Sequence, residues 1–395
     1  MDRLPYWPFY VQPSVAETLR HLQFVQAYGL YQVAKRFVGT PAFGIETIHT
    51  ESGEPVPVSV TVVAHTPFCR LLHFSARTCT DNSVRPKLML CTPQAGHPAA
   101  LMRAVVRSLL DDSDVYVTEW IDARDIPVEA GALNVNNHVL TLESFMSGLG
   151  PGELDVLAIC QATVPALAAA ARLAASGGPE LRSLALMGGP IDARIHPTAL
   201  GRAARELSRE WFAQRCTGRV PLGYAGAGRR VYPGFLQFSA QAGDPSRQVG
   251  RFLEAMCHVS RGDVGGIVAS VAEVADHSAP LDLPAEFIES TIDVVFRRFL
   301  LPRGKWRVDG ALVRLDCLRK TRLLTVEGAD DAITGAQQTH AAHALCTQIP
   351  SSYRDHITLS QCNHYGLFSG NSWSAEVYPM LRRRLAVWRG MVDRD

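Results

Sequence analysis

The stretch Leu157-Ala158-Ile159-Cys160-Gln161-Ala162-Thr163-Val164-Pro165 carries the strongest indication of fold in this chain. A short apolar run leads directly into a cysteine, and an alanine-rich segment with a helical pattern follows. A tight strand-to-helix turn can present a nucleophile when the residues two before and two after it are small. Ala158 and Ala162 occupy those positions, where glycines are more usual. The stretch therefore suggests a nucleophile at Cys160, with a buried, inert thiol as the competing interpretation.

The composition is that of a globular protein with a large core. Of 395 residues, 47% are hydrophobic and 19% are charged, and the formal net charge is +1. This balance gives no electrostatic attraction to nucleic acid or to an anionic membrane. No apolar run approaches the roughly 18 residues of a membrane span, and residues 1–8 lack the features of a signal peptide. We therefore expect a cytoplasmic protein with no transmembrane segment.

The cysteines indicate neither a disulfide framework nor a zinc site. Their number is odd, they are scattered, and none forms a CxxC pair. Most of them should be buried, reduced thiols, and a reducing compartment would also keep Cys160 available as a thiolate. We predict no metal and no cofactor. The nine positions are 69, 79, 91, 160, 216, 257, 317, 346 and 362.

From Lys87 onward, short apolar runs alternate with helical patterns, which predicts a parallel sheet. The runs are Lys87–Cys91, Asp114–Trp120, Leu154–Ile159 and residues 184–187, and the strand pattern returns at residues 323–326 and 356–359. We interpret residues 1–80 as an N-terminal extension that packs on the core, and residues 81–395 as the catalytic domain. A lid insertion at about residues 194–310 interrupts that domain.

Two of the predicted strands end in loops that carry the partners a cysteine nucleophile needs. Asp330 and Asp331 follow one strand, and His364 follows the last. The carboxyl ends of parallel strands meet at one edge of a sheet, where active sites lie. A thiol with a pKa of ~8.5 needs a base, so His364 would take its proton. Asp331 or Asp330 would orient the imidazole.

The chain order of nucleophile, acid and histidine is that of α/β-hydrolases, so we expect this fold class: a mostly parallel central sheet flanked by helices. Backbone N–H groups of Gln161 and Gly96 are the candidates for the oxyanion hole, and His97 is a candidate for substrate binding. Ser369, a rival nucleophile, lacks a strand-turn-helix setting. His340 and His343 fit a solvated or partly packed helix face.

Several sequence blocks resemble the intracellular poly(3-hydroxybutyrate) depolymerases. The blocks extend from about residue 87 to the C-terminus, and those in the insertion and near the C-terminus are specific to this family. They are residues 114–124, Cys160-Gln161, residues 186–194, Gly228-Arg-Arg-Val-Tyr-Pro-Gly-Phe-Leu-Gln237, residues 299–304, residues 324–328 and His364-Tyr-Gly-Leu-Phe-Ser-Gly370. The first 80 residues match only loosely.

The resemblance implies an α/β-hydrolase that cleaves ester bonds of amorphous poly(3-hydroxybutyrate) through a thioester acyl-enzyme, with the surface of the polyester granule as its partner and location. It places the nucleophile at Cys160, the acid at Asp331 and the histidine at His364. It also makes Tyr232 and Phe235, inside a family-specific block, candidates for substrate binding. The family has a proline where this chain has Ala162.

Two other functions remain open at the level of sequence. A polyhydroxyalkanoate synthase-like acyltransferase also uses a cysteine on this fold, but synthases resemble Gly-x-Cys-x-Gly, so Ala158 and Ala162 count against it. A weakly active, granule-associated scaffold is the second alternative, and the change at Ala162 keeps it open. The sequence leaves undecided the oligomeric state and whether water or a thiol such as coenzyme A accepts the acyl group.

Overall fold

The structure is a computed structural model that describes residues 42–49, 53–76, 85–94, 98–206, 208–234 and 281–391. Within these ranges the strands are β1 (Thr47–His49), β2 (Pro55–His65), β3 (Cys69–Ala76), β4 (Lys87–Cys91), β5 (Asp114–Trp120), β6 (Leu154–Ile159), β7 (Ser183–Met187), β8 (Gly218–Arg219), β9 (Arg230–Tyr232), β10 (Leu283–Pro284), β11 (Arg307–Val308), β12 (Ala311–Leu312), β13 (Arg322–Gly328) and β14 (Arg354–Leu359).

The helices lie mostly between strands of the main sheet. They are α1 (Arg103–Leu109), α2 (Val135–Leu149), α3 (Thr163–Ala175), α4 (Ala199–Glu206), α5 (Arg209–Arg215), α6 (Ala285–Thr291), α7 (Ala341–Leu345), α8 (Gly370–Ser372) and α9 (Tyr378–Trp388). A π-helical segment, residues 292–297, continues α6, and another, residues 373–377, joins α8 to α9. In the described part of the chain, no helix has both the length and the apolar character needed to cross a bilayer.

Nine of these strands form the main sheet, in the order β1-β2-β3-β5-β4-β6-β7-β13-β14. The six strands from β5 to β14 in this order are parallel to one another, and β3 pairs antiparallel with β5. Parallel strands with helices between them, and a tight strand-to-helix turn between β6 and α3, make this an α/β-hydrolase fold. The sheet places the carboxyl ends of β6, β7, β13 and β14 side by side.

The central strands are buried on both faces, which explains their nearly continuous apolar sequences. On β6, Val156 and Ala158 face a core layer formed with α2 and α3, whereas Leu157 and Ile159 face a layer formed with α1 and α9. The predicted strands Lys87–Cys91, Asp114–Trp120 and Leu154–Ile159 have the bounds expected from the sequence, so these predictions are confirmed.

The sheet also includes residues that the sequence analysis assigned to the N-terminal extension. Strands β2 and β3 lie within residues 1–80, and β3 pairs with β5 from Cys69 opposite Trp120 to Phe74 opposite Val115. The described residues 53–76 therefore form part of the same sheet as the predicted catalytic domain. The division of the chain at residue 80 stays a prediction, as do the bounds of the lid insertion.

Candidate active site

Cys160 lies in the tight turn between β6 and α3. Ile159 is still extended, with φ −116° and ψ 137°, whereas Cys160 has φ 53°, in the left-handed region that non-glycine residues rarely adopt. Residues 160–162 form a single 3₁₀ turn before the helix begins. Ala158 and Ala162 are both completely buried. This is the geometry of a nucleophile elbow, and alanine satisfies its requirement for small flanking side chains.

Two glycines at the end of β7 allow the neighbouring elements to approach the turn. A Cβ atom on Gly189 would lie 1.7 Å from the hydroxyl oxygen of Thr163, which itself donates a hydrogen bond to the Cys160 carbonyl at 2.7 Å. Gly188 has φ 58°, and a Cβ atom there would lie 2.8 Å from Leu367 and 3.3 Å from the ring of His364. These positions must be glycine for the turn and the histidine loop to pack together.

His364 and Asp331 form a buried hydrogen-bonded pair in the loops after β14 and β13. His364 Nδ1 lies 2.6 Å from Asp331 Oδ2, and both side chains are at most 5% exposed. The other carboxylate oxygen accepts backbone N–H groups of Ile333 and Thr334, each at 2.8 Å. These bonds fix the carboxylate toward the imidazole, whereas the neighbouring Asp330 is exposed. Of the two acids that the sequence allowed, Asp331 is the one bonded to His364.

The imidazole of His364 also interacts with Cys160. Burial lowers the pKa of His364, but the charge of Cys160 and hydrogen bonds to Asp331 and Cys160 outweigh it and raise the pKa to about 10. Because Nδ1 is engaged with Asp331, Nε2 is the nitrogen left for the thiol. Thiol, imidazole and carboxylate are therefore connected in the order that nucleophilic catalysis requires. Their catalytic roles stay a prediction.

A second carboxylate supports the loop that carries Asp331. Glu327 is buried near the end of β13 and accepts the backbone N–H groups of residues 337, 339 and 340 at 2.7 to 3.0 Å. His340 Nδ1 and His343 Nε2 both contact the hydroxyl of Thr325, at 2.7 and 2.8 Å. The two histidines are half-buried and hydrogen-bonded to the sheet, so they are structural contacts of this loop.

A cavity of about 170 Å³ opens beside Cys160. Its walls come from the elbow, α2, α4, α6 and the loop after Asp331, and most of its side chains are apolar. Of this lining, only Cys160 and Gln161 were predicted from the sequence, because no local pattern shows which helix faces the elbow. The lining residues are Val135, His138, Cys160, Gln161, Val164, Pro165, Pro190, Leu200, Phe287, Thr291, Val295, Phe296, Ile333 and Thr334.

The other predicted site residues are placed as follows. Gln161 directly follows Cys160 in the turn, and its role in an oxyanion hole stays a prediction. Gly96, His97 and Phe235 lie outside the described residues. Tyr232 is on β9, its ring centroid 5.6 Å from that of Phe212, and burial raises its pKa to about 12. It packs on Phe212 rather than lining the cavity, and its role in substrate binding stays a prediction.

Ser369, the rival nucleophile, is hydrogen-bonded outside the site, and three of the other cysteines are buried. The Ser369 hydroxyl donates to the carbonyl of Tyr365 at 2.8 Å. Cys69, Cys91 and Cys346 are fully buried, and burial raises the pKa of each thiol, that of Cys346 to about 12. Across the described ranges, no group of three or more histidine, cysteine, aspartate or glutamate residues is arranged to hold a metal ion.

A family model described as "PHB de-polymerase C-terminus", where PHB is poly(3-hydroxybutyrate), matches residues 188–387, half of the chain. The matched region begins after the elbow and includes Asp331 and His364. A comparison with curated proteins finds no match to this sequence.

Comparison with solved structures finds α/β-hydrolases of low sequence identity. A thermophilic esterase from Thermogutta terrifontis is 14% identical, with a TM-score of 0.44 over 84% of this chain and 99% of that one. Haloalkane dehalogenase DbeA from Bradyrhizobium elkani is 12% identical, with a TM-score of 0.47 over 85% and 100%. An α/β-hydrolase fold protein from Nakamurella multipartita is 16% identical, with a TM-score of 0.44 over 88% and 99%.

Proposed function

The chain belongs to the poly(3-hydroxybutyrate) depolymerase family, and we propose that it hydrolyses amorphous poly(3-hydroxybutyrate) with Cys160 as its nucleophile. It is a carboxylic ester hydrolase, and its family implies a polyester substrate. The observation that carries the proposal is the position of Cys160, in a left-handed strand-to-helix turn beside the buried His364–Asp331 pair. That arrangement supplies a nucleophile, a base and an orienting acid within one site.

Acylation begins when His364 takes the proton of the Cys160 thiol. The thiolate attacks an ester carbonyl of the polymer and forms a carbon–sulfur bond, and the carbonyl oxygen becomes an oxyanion. The backbone N–H of Gln161 is one proposed donor to this oxyanion, and that of Gly96, which follows β4 in the sequence, is the candidate for the second. As the carbon–oxygen bond breaks, His364 returns its proton to the leaving alkoxide. The product is a thioester on Cys160.

Deacylation uses the same groups with water as the nucleophile. His364 removes a proton from water, the resulting hydroxide attacks the thioester carbonyl, and the Cys160 sulfur leaves and regains a proton. Asp331 remains ionised throughout and stabilises the imidazolium that forms in each half-reaction. The products are a free carboxylic acid and the original thiol, so no cofactor is required.

The apolar cavity beside Cys160 suits the acyl part of such a polymer. Its lining includes Leu200, Phe287 and Phe296, which belong to the predicted lid insertion at about residues 194–310. A cavity lined by apolar side chains with a few polar groups is the usual form of a small-molecule site. We propose that these residues receive a segment of the polymer chain and that the protein works at the granule surface.

The test is to incubate the full chain with native amorphous granules and to measure the release of 3-hydroxybutyrate. We expect release by the wild type and its loss in Cys160→Ala and His364→Ala. Cys346→Ala, which removes a buried thiol elsewhere, is the matched control and should retain release. Release by Cys160→Ala at the wild-type rate would show that another residue is the nucleophile.

Three further measurements test the alternatives and the nucleophile. Supplying 3-hydroxybutyryl-coenzyme A and assaying for polymer tests the synthase-like acyltransferase, and we expect no polymer. Granule binding without any release would indicate the scaffold. Mass spectrometry of the protein after a brief reaction should detect a 3-hydroxybutyryl adduct on Cys160, which identifies nucleophile and substrate together.

A further inference from the structure

The two glycines that follow β7, called here the glycine turn, contact both the elbow and the histidine. A side chain on Gly189 would overlap Thr163, the first residue of α3, whose hydroxyl donates to the carbonyl of Cys160. A side chain on Gly188 would crowd the ring of His364. Because the elbow and the imidazole both pack on the glycine turn, the position of this turn affects how closely they approach each other.

Thr339 holds the glycine turn from the loop between β13 and α7, residues 329–340. This fully buried threonine accepts the N–H of Gly189 at 2.9 Å with its hydroxyl oxygen and donates its hydroxyl proton to the Gly189 carbonyl at 3.0 Å. A hydroxyl can donate one hydrogen bond and accept others, so a single side chain holds both polar groups of this residue. The same carbonyl also accepts the N–H of Ile191 at 2.9 Å.

Thr339 is itself fixed to the end of β13 by Glu327. The buried carboxylate of Glu327 accepts the backbone N–H of Thr339 at 2.7 Å, and it also accepts those of His340 and Gln337. Hydrogen bonds to a carboxylate are roughly twice as strong as those between neutral groups. The hydroxyl that bonds Gly189 is therefore anchored to the central sheet.

Thr334 links the same loop to the glycine turn at a second point. Its backbone N–H donates to the carboxylate of Asp331 at 2.8 Å, and its hydroxyl donates to the Gly188 carbonyl at 2.9 Å. Asp331 in turn is hydrogen-bonded to His364. Thr334 therefore connects the acid that orients the imidazole to the turn on which the imidazole packs.

We infer that Thr339 is a positioning residue for the reaction: through the glycine turn, it sets the separation between the sulfur of Cys160 and the imidazole of His364. Thr334 assists it. Thr339 is not among the described residues that line the cavity, so it acts through the turn rather than on the substrate. This inference rests on the proposed function, which makes Cys160 the nucleophile and His364 its base. Proton transfer between them requires hydrogen-bond distance, and a misplacement of about 1 Å can lower a rate about 10²-fold.

The first experiment compares Thr339→Val with Thr339→Ser in the full chain, with p-nitrophenyl butyrate as a soluble ester probe. Valine keeps the branched shape but lacks the hydroxyl, whereas serine keeps the hydroxyl. We expect Thr339→Val to lower kcat by about 10- to 100-fold, with KM within about twofold of the wild type, and serine to restore most of the loss. Thr321→Val is the matched control and should retain kcat, because Thr321 is a buried threonine at the opposite end of β13, where its hydroxyl bonds Glu180.

The second experiment requires no turnover. Mass spectrometry follows the alkylation of Cys160 by iodoacetamide at pH 7 and at pH 9.5. A thiol without an assisting base is only a few per cent thiolate at pH 7, whereas most of it is ionised at pH 9.5. If the imidazole of His364 moves away, the ratio of the rate at pH 7 to the rate at pH 9.5 should fall by roughly tenfold. We expect this fall in Thr339→Val and the wild-type ratio in Thr339→Ser and Thr321→Val.

The outcomes separate this inference from the proposed function. If Cys160→Ala is inactive but Thr339→Val keeps the wild-type alkylation ratio, the inference is overturned and the proposed function stands, even if kcat falls. If Cys160→Ala cleaves the ester at the wild-type rate, both are overturned. If Thr339→Val does not fold, Thr334→Val, which removes the hydroxyl bond to Gly188, takes its place. It should lower the ratio by a smaller factor, and an unchanged ratio would overturn the inference.

Discussion

The two ends of strand β6 are built in opposite ways. At its amino end, the buried Asp155 carboxylate accepts two bonds from Arg182 at 2.9 and 2.7 Å, one from Ser183 at 2.6 Å and one from Arg389 at 2.8 Å. At its carboxyl end, Cys160 has a left-handed backbone, and three residues that line the adjacent cavity, His138, Gln161 and Thr291, have buried polar atoms without partners among the described residues. The amino end therefore has its polar side chains paired, whereas the carboxyl end has a strained backbone and unpaired polar atoms.

This difference indicates which part of the sheet is organised for stability and which for chemistry. Backbone strain of this kind costs of order 1–3 kcal/mol and persists only where the surrounding structure enforces it. Local violations of otherwise consistent structure are expected at functional sites. Substitutions at the carboxyl end should therefore affect activity more than stability, and substitutions at the amino end should do the reverse.

The largest expected effect is that of Asp331→Asn at the carboxyl end. The amide would still accept the backbone N–H groups, but its NH₂ group would face His364 Nδ1 and favour the wrong tautomer. In a related triad this change lowers kcat by about 10⁴-fold. We expect a loss of that order in ester hydrolysis, with a much smaller change in the free energy of unfolding. Asp330→Asn, which changes the exposed neighbour, is the control, and an equal loss there would contradict the assignment.

At the amino end, Asp155→Asn should mainly affect stability. It would leave the guanidinium of Arg182 without its charged partner and the buried guanidinium of Arg389 with only Asp112, at 3.5 Å, and breaking a buried ion pair costs about 3–5 kcal/mol. We expect this loss in urea unfolding, with kcat of the folded protein unchanged. Asp355→Asn removes the partner of Arg384 in a more exposed pair, where water screens the interaction, and should cost much less. A large fall in kcat for Asp155→Asn would contradict the comparison.

The free energy of unfolding should depend on pH through His364. Because the pKa of His364 is raised to about 10 in the folded protein, its contribution to stability is complete below the unfolded pKa of about 6.5 and is lost as pH rises through about 10. Within that window the free energy of unfolding should fall by roughly 1.4 kcal/mol per pH unit from this group. Urea unfolding at several pH values measures the slope.

Cys160→Ala should flatten this slope, since the charge of Cys160 is the largest of the interactions that raise the pKa of His364. Cys346→Ala, at a buried thiol away from the site, should leave the slope unchanged. A slope that survives unaltered in Cys160→Ala would show that the imidazole does not interact with that thiol.

Much of the carboxyl end was predictable from sequence, because strand-end residues of a parallel sheet converge without any knowledge of packing. Cys160, Asp331 and His364 each follow an apolar run, and their proximity follows from the order of the strands. The strand pattern alone did not separate Asp331 from Asp330; the family resemblance favoured Asp331, and in the structure its carboxylate is the one that turns toward the imidazole. His138 and Thr291 gave no signal in the sequence, because both lie on ordinary helical faces and only the packing leaves their polar atoms unpaired.

The membership of β2 and β3 in the main sheet was missed for a different reason. A strand pattern in the sequence does not indicate which sheet a strand joins, and the antiparallel pairing of β3 with β5 involves residues about 45 positions apart in the sequence. Long-range pairing is set by the burial of whole strand faces, which a local pattern does not record.

The smallest expected effect tests the strain at Cys160 itself. Cys160→Gly and Cys160→Ala both remove the sulfur, but only alanine keeps a Cβ atom at φ 53°. We expect the glycine variant to be the more stable of the two by about 1 kcal/mol in urea unfolding, because glycine adopts the left-handed region without steric cost. At Cys346, which has φ −90°, the same pair should show the opposite order, because glycine there only adds entropy to the unfolded chain. If alanine were the more stable residue at both positions, the turn at Cys160 would not be strained, and the proposed contrast between the two ends of β6 would rest on the unpaired polar atoms alone.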